Sequence, residues 1–238
     1  MVDIKSLTEE KIAQMIDYGP ALAVPYTENE VRLACAEAIK YNMKLVVVIE
    51  SFIPLVKRLL KGTGIITGGI FSYPLGNICT EAKIVQIKNV IGKGAEAIDG
   101  VLPLSALKSG DFDFVREETQ RLVETARGLR QDIEIKFMVE ISYLDEEEIV
   151  TAAKIVKESG ADFIKTGTGW APWGPSIRQI KLIRETVGPD FGVKASGMEV
   201  EGSIYNFLDY VEAGATRFGL ISAVRVIENF KLIKNNLL

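Results

Sequence analysis

The sequence predicts a closed (β/α)8 barrel, an α/β fold of eight parallel strands each followed by a helix, with a short N-terminal helix ahead of the barrel. Three observations carry that reading. Short β-branched runs alternate with helical patterns from one end of the chain to the other. The length, 238 residues, suits a barrel that typically takes about 250. Neither GxGxxG nor GxxxxGK[ST] occurs, which counts against the alternative, a doubly wound open sheet opened by a Gly-rich turn. With no low-complexity stretch and no compositional break, residues 1–238 read as one domain.

Taken in order, the predicted strands are Ala21–Val24, Lys44–Ile49, Ile65–Ile70, Ala97–Leu102, Ile133–Val139, Phe163–Thr166, Gly192–Ala195 and Arg217–Ile221. Several are almost wholly apolar, as strands buried on both faces must be. Between them the apolar residues take helical spacing: Val31, Ala34, Cys35, Ala38 and Ile39; Ile149, Ala152, Ala153 and Val156; Ile204, Phe207, Leu208 and Val211. Ser6 with Glu9, Thr27 with Glu30 and Asp145 with Glu148 have the capping-box spacing that starts a helix. Gly160, Gly188 and Gly214 stand where helices should stop. The most distinctive loop is Trp170-Ala171-Pro172-Trp173-Gly174-Pro175.

Composition narrows the function classes. The chain is 47% hydrophobic and 25% charged, enough apolar content to enclose a site. A net charge of −4 argues against a nucleic-acid binder, which usually shows a basic patch or stripe. Two cysteines, Cys35 and Cys79, make no disulfide framework, and Cys35 reads as a small buried hydrophobe. There is no histidine, so Ser-His-Asp and Cys-His chemistry is excluded and the usual imidazole-based zinc site has no ligands. The expectation is no metal and no cofactor. The opening stretch is acidic and lacks an apolar centre, and runs such as Leu45–Ile49 are far too short for a membrane span. These features predict a soluble, cytoplasmic protein with no membrane or nucleic-acid partner.

In such a barrel the active site lies at the C-terminal ends of the strands. There the sequence places Asp99 on strand four, Lys136 on strand five, Lys165 on strand six and Lys194 on strand seven. A lysine in an apolar strand usually snorkels out or pairs with a carboxylate. Two on neighbouring strands, beside a buried aspartate, point instead to function. Burial and a second ammonium both disfavour the charged form of a lysine, and a neutral amine is what a Schiff-base nucleophile requires.

The residues Phe163-Ile164-Lys165-Thr166-x-Thr168-Gly169, Gly192-Val193-Lys194-Ala195-Ser196-Gly197 and Ala97-Ile98-Asp99 resemble the two lysine signatures and the aspartate signature of the deoxyribose-phosphate aldolase family. Tyr73-Pro74-Leu75-Gly76 and Glu158-Ser159-Gly160-Ala161-Asp162 are similar to further family segments, and the likeness runs from about Lys44 to Ile227, with Ile16-Asp17 fitting upstream. The resemblance implies that Lys165 forms an imine with acetaldehyde, that Lys194 lowers its pKa and shares in proton traffic, and that Asp99 moves protons through a water. It implies that Thr168 lines the pocket, that Lys136 acts electrostatically, and that Asp17 orients an acceptor hydroxyl. It assigns the acceptor phosphate to glycines and serines after strands seven and eight, a pattern that Gly197 and Ser222 fit, with the backbone near Gly219 as a further N–H donor to the substrate. Its substrate is a small aldehyde or sugar phosphate, and its members often form homo-oligomers such as dimers.

The sequence departs from the family at that phosphate corner. Met198 stands where a second glycine is usual, Val200 where an arginine is usual and Ile221 where a serine is usual, while Trp170 adds bulk at the mouth. The main expectation is reversible cleavage of 2-deoxyribose 5-phosphate. The alternatives are the same imine chemistry on a non-phosphorylated acceptor, and a non-catalytic barrel that binds a sugar or a partner.

Overall fold

The computed structural model describes residues 4–20, 22, 24–197 and 203–236. Its strands close into a barrel in sequence order: β1 (Ile16–Tyr18), β2 (Leu45–Val48), β3 (Ile66–Phe71), β4 (Ala97–Val101), β5 (Glu134–Met138), β6 (Phe163–Lys165), β7 (Gly192–Ser196) and β8 (Arg217–Leu220). Each neighbouring pair is parallel. Closure is made by β8 against β1, where Asp17 stands opposite Gly219.

Strands β2 to β8 form where the apolar runs predict them. The first strand does not. The predicted run from 21 to 24 is flanked by Pro20 and Pro25, which cannot donate to a strand ladder, and its described members, Leu22 and Val24, lie in the loop after β1. The actual strand, Ile16-Asp17-Tyr18, is three residues long with an aspartate at its centre, so it carries no apolar signature.

The helices are α1 (Glu9–Ala13), α2 (Glu28–Tyr41), α3 (Ile53–Leu59), α4 (Thr80–Gly92), α5 (Leu104–Lys108), α6 (Phe112–Leu129), α7 (Glu146–Glu158), α8 (Ile177–Val187), α9 (Ile204–Glu212) and α10 (Ala223–Asn236). The short N-terminal helix is α1. It is capped by Thr8, whose hydroxyl accepts from the Lys11 N–H, and not by Ser6, which sits in a preceding 3-10 turn. The boxes at Thr27/Glu30 and Asp145/Glu148 form as predicted, and Ser176 with Gln179 makes another. Gly188 ends α8, while Gly160 and Gly214 follow α7 and α9 with left-handed φ angles of 85° and 111°. No helix among the described residues is long and apolar enough to cross a membrane.

Apolar side chains form two layers. The larger lies between the helices and the outer face of the barrel and includes Ile98, Phe137, Ile164 and Val193 with Ala152, Ile180 and Phe207, as well as Cys35. The smaller, Leu45, Val47, Ile70 and Ala97, fills the inside of the barrel near β2 to β4. The rest of the interior holds charged side chains around the ring of Phe163, and this division places the site between β4 and β1 by way of β8. Gly192 belongs to that geometry: a Cβ there would lie 2.2 Å from the ring of Phe163, so only glycine lets this ring pack inside.

Candidate active site

Strand register brings the predicted side chains together. Asp99 is opposite Lys136, and Lys165 is opposite Lys194. Residues facing each other across a ladder share one side of the sheet, so all four point inward with Asp17 of β1. Lys165 Nζ donates to Asp99 Oδ2 at 2.9 Å. Lys194 Nζ donates to the same oxygen at 2.7 Å and to Asp17 Oδ2 at 2.5 Å. Asp99 therefore links both lysines, while Lys194 bridges two carboxylates.

A second tier lies beneath. Lys136 Nζ is 2.5 Å from Glu134 Oε1, 3.4 Å from Asp99 Oδ1 and 3.5 Å from Asp17 Oδ2. These are ion pairs; none has the alignment of a hydrogen bond. Arg217 donates to Asp17 Oδ1 at 2.8 Å and reaches Glu134 Oε2 at 3.3 Å. The ring of Phe163 lies beneath both cations, 5.6 Å from Lys136 Nζ and 4.9 Å from the Arg217 guanidinium carbon.

Above this network opens a cavity of about 500 Å³, with Asp17, Lys165 and Lys194 on its floor. Thr168, Gly197 and Gly219 are on its walls. Asp99 sits just below the floor, buried beneath the two lysines that donate to it. Lys136 is fully buried in the lower tier, away from the cavity wall. Ser222 stands half-buried ahead of α10, one residue beyond the wall that Gly219, Leu220 and Ile221 form. Met198 and Val200 lie outside the described residues. Ile221 is on the rim and 68% exposed. Of the two tryptophans, Trp173 lines the mouth while Trp170 does not.

Thr168 is held at every polar atom. Its N–H and hydroxyl both donate to the Glu140 carboxylate, its hydroxyl accepts from the Trp170 N–H at 3.0 Å, and its carbonyl accepts from the Tyr73 hydroxyl at 3.0 Å. Glu140 reaches it from a left-handed backbone with φ of 48° at the end of β5. Non-glycine residues in that region cost energy and cluster at functional sites.

The electrostatics separate one amine from the others. Burial pulls the Lys165 ammonium down to about 8; the charge of Lys194 adds to this, and the carboxylate of Asp99 opposes it. Against a usual lysine value near 10.4, this leaves roughly 200-fold more free amine at neutral pH. Lys136 moves the other way. Burial would lower it, but Asp17, Asp99 and Glu134 outweigh that effect and raise it. Burial would raise the carboxyls of Asp99 and Asp17; the surrounding lysines, with Arg217 beside Asp17, overcome it and hold both well below the usual carboxylate range. The site thus offers, on the cavity floor, an amine whose proton is held less tightly than a lysine's usually is, beside carboxylates that stay ionised. That is the constellation for carbonyl addition.

The family model for "DeoC/LacD family aldolase" matches residues 11–214. The chain belongs to this aldolase family. The chain is 38% identical to the deoxyribose-phosphate aldolase of Caldanaerobacter subterraneus subsp. tengcongensis over 92% of its own length and 94% of the relative's. It is 35% identical to the deoxyribose-phosphate aldolase of Thermococcus gammatolerans, over 91% and 95% of the two chains. Among solved structures, the tetrameric deoxyribose phosphate aldolase of Aeropyrum pernix superposes with a TM-score of 0.84 at 27% identity, covering 94% of this chain and 92% of that one.

Four residues that the sequence reading does not single out surround the predicted side chains. Glu134 and Arg217 begin their strands instead of ending them. The available signal was Glu134-Ile135-Lys136, two charges at the spacing that puts them on one face of a strand. Ser196, the last residue of β7, lines the cavity. Glu140 lies beyond the end of β5, and its contact with Thr168 depends on a turn that composition does not announce.

Proposed function

We propose that this aldolase cleaves 2-deoxyribose 5-phosphate reversibly to acetaldehyde and glyceraldehyde 3-phosphate through an imine on Lys165. The observation that carries the reading is the Lys165 amine on the cavity floor, pulled down to about 8 by burial and hydrogen-bonded to Asp99. The activity of the named relatives supports it.

The amine of Lys165 adds to C1 of the open-chain sugar, and the carbinolamine loses water to give an iminium. The iminium withdraws the electrons of the C2–C3 bond as the C3 hydroxyl loses its proton. That bond breaks, releasing glyceraldehyde 3-phosphate and leaving an enamine. The enamine takes a proton at its terminal carbon, and water hydrolyses the resulting acetaldehyde imine. Asp99, an anion bonded to both lysines, moves these protons through a water, and Lys194 shares the traffic. Asp17 and Thr168 orient the acceptor's hydroxyls, and Lys136 keeps Asp17 and Asp99 ionised from below. Gly197, Gly219 and Ser222 lie toward the acceptor's far end. The test is reductive trapping: borohydride with acetaldehyde should leave an N-ethyl lysine at position 165. If no adduct forms on the folded protein, the chain is a binding barrel and not this enzyme.

One observation favours a second reading of the acceptor. Beyond the floor the cavity wall carries the apolar side chains of Leu22, Val47, Trp173, Leu220 and Ile221 beside the neutral Thr168 and Ser196, and the cations on its described lining are Lys165 and Lys194 alone. A phosphate dianion prefers N–H donors and a nearby cation. Losing one hydrogen bond to a charged group typically costs about 1.5–3 kcal/mol, and each 1.4 kcal/mol is roughly tenfold. On this reading the preference in kcat/KM for the 5-phosphate over free 2-deoxyribose is below about 100-fold. A much larger preference, or an ordered phosphate held by Gly197 and Ser222, rules it out.

The same reading includes a homo-oligomer, by analogy with the tetrameric relative. Light scattering that returns the mass of one chain at micromolar concentration would count against it.

A further inference from the structure

Four cations and three carboxylates meet inside the barrel: Lys136, Lys165, Lys194 and Arg217 against Asp17, Asp99 and Glu134. They are joined by contact from the cavity floor to the far end, where β5 begins with Glu134 and β8 with Arg217. If every group is ionised, the cluster carries one excess positive charge. It becomes neutral when one lysine loses its proton. Geometry selects which one: among the described residues Lys194 pairs with two carboxylates and Lys136 with three, whereas Lys165 pairs with Asp99 alone and is the one of the three lysines whose side chain is not wholly buried. An uncompensated charge in a buried site is expensive, so the least-paired cation gives way.

We propose that Glu134 and Arg217, which touch neither the cavity nor the reacting atoms, are positioning residues that set the charge balance under which Lys165 releases its proton. Arg217 supplies the cation that makes the cluster one positive charge too rich, and Glu134 limits that excess. Elsewhere around Lys165, β2 and β3 contribute apolar Leu45, Val47 and Ile70, and above it Glu140 and Tyr73 are engaged with Thr168. The balance is therefore decided by the seven charged side chains of β1 and β4 to β8. The inference rests on Lys165 being the imine-forming amine.

Glu134 and Arg217 are ion-pair partners, which gives a sharp test. Removing either breaks the same contact, so structural damage would move any property the same way in both variants. The charge balance predicts opposite movements. In Arg217→Met the cluster is neutral with Lys165 protonated, and the acid limb of the pH profile for imine trapping with acetaldehyde moves up. In Glu134→Gln the excess of positive charge grows, and the limb moves down. A unit charge at about 10 Å in an effective dielectric near 20 shifts a titration by roughly one pH unit. The Glu134 shift should be the smaller, because its side chain is 20% exposed and partly screened by solvent. Arg217→Lys keeps the charge and should keep the wild-type limb.

The measurement is the trapping rate between pH 5 and 10, with the adduct mapped by mass spectrometry. Displacement in opposite directions bears the inference out. Displacement in one shared direction, or none in either variant, overturns it while an adduct on Lys165 leaves the imine reading standing. If the adduct maps elsewhere, it is that reading which fails. If Arg217→Met does not fold, Glu134→Gln decides alone: a limb that stays or rises overturns the proposal.

Discussion

Replacing Lys165 by alanine should abolish imine trapping and reduce turnover by on the order of 10⁴-fold or more, the scale on which deletion of a covalent nucleophile acts. The side chain is all but buried and its amine contacts a single carboxylate. Truncation removes one cation from a cluster that carries one too many, so Asp99 keeps Lys194 at 2.7 Å and Lys136 at 3.4 Å as partners. The fold should therefore survive, and an unchanged melting temperature separates lost chemistry from lost structure. Lys194 is the only other amine on the described cavity lining, and it is already bonded to Asp17 and Asp99. A reducible acetaldehyde adduct in the alanine variant would mean that Lys194 or another amine is the nucleophile, and the assignment would be wrong.

Much of this site was legible in the sequence because lysines are conspicuous inside apolar strands. Lys136, Lys165 and Lys194 stood out against Phe137, Ile164 and Val193, which face the helices. The strands from β2 onward were legible for the same reason, being buried on both faces. The first strand hid because its central residue is Asp17, whose burial is made affordable by Lys194 and Arg217, residues about two hundred positions away in the chain. An apolar run flanked by prolines drew the assignment instead. Glu134 and Arg217 were hidden more deeply. At the starts of β5 and β8 they look like ordinary charged residues at strand ends, and only closure of the barrel brings them within 3.3 Å. Local pattern finds what must be buried; it does not find which distant partner makes burial possible.

Lys194→Leu should shift the acid limb of kcat/KM to higher pH by roughly one to two units and lower the activity at pH 7 by about 10- to 100-fold. The sign follows from the groups that surround Lys165. Burial, which lowers its pKa to about 8, is unchanged by the substitution, but the charge of Lys194, which adds to the lowering, is removed. The Asp99 carboxylate, which opposes it, is then shared with fewer cations and favours the Lys165 ammonium more strongly. The folded-state value rises, and the protonated form of Lys165 persists to higher pH. The reactive species is the free amine, so each unit of upward shift leaves about tenfold less of it at neutral pH. Raising the pH restores it, and activity should recover substantially between pH 9 and 10. That recovery distinguishes two roles for Lys194. If it acts chiefly by lowering the pKa of its neighbour, alkaline pH replaces it; if the reaction needs the Lys194 ammonium itself as a proton donor, the deficit persists at every pH. Asp17 retains Arg217 at 2.8 Å and Lys136 at 3.5 Å in the variant, so the buried carboxylate is not left alone and the profile can be read on a folded protein. An acid limb at the wild-type position would show that Lys194 does not tune Lys165, and that burial alone makes this amine acidic.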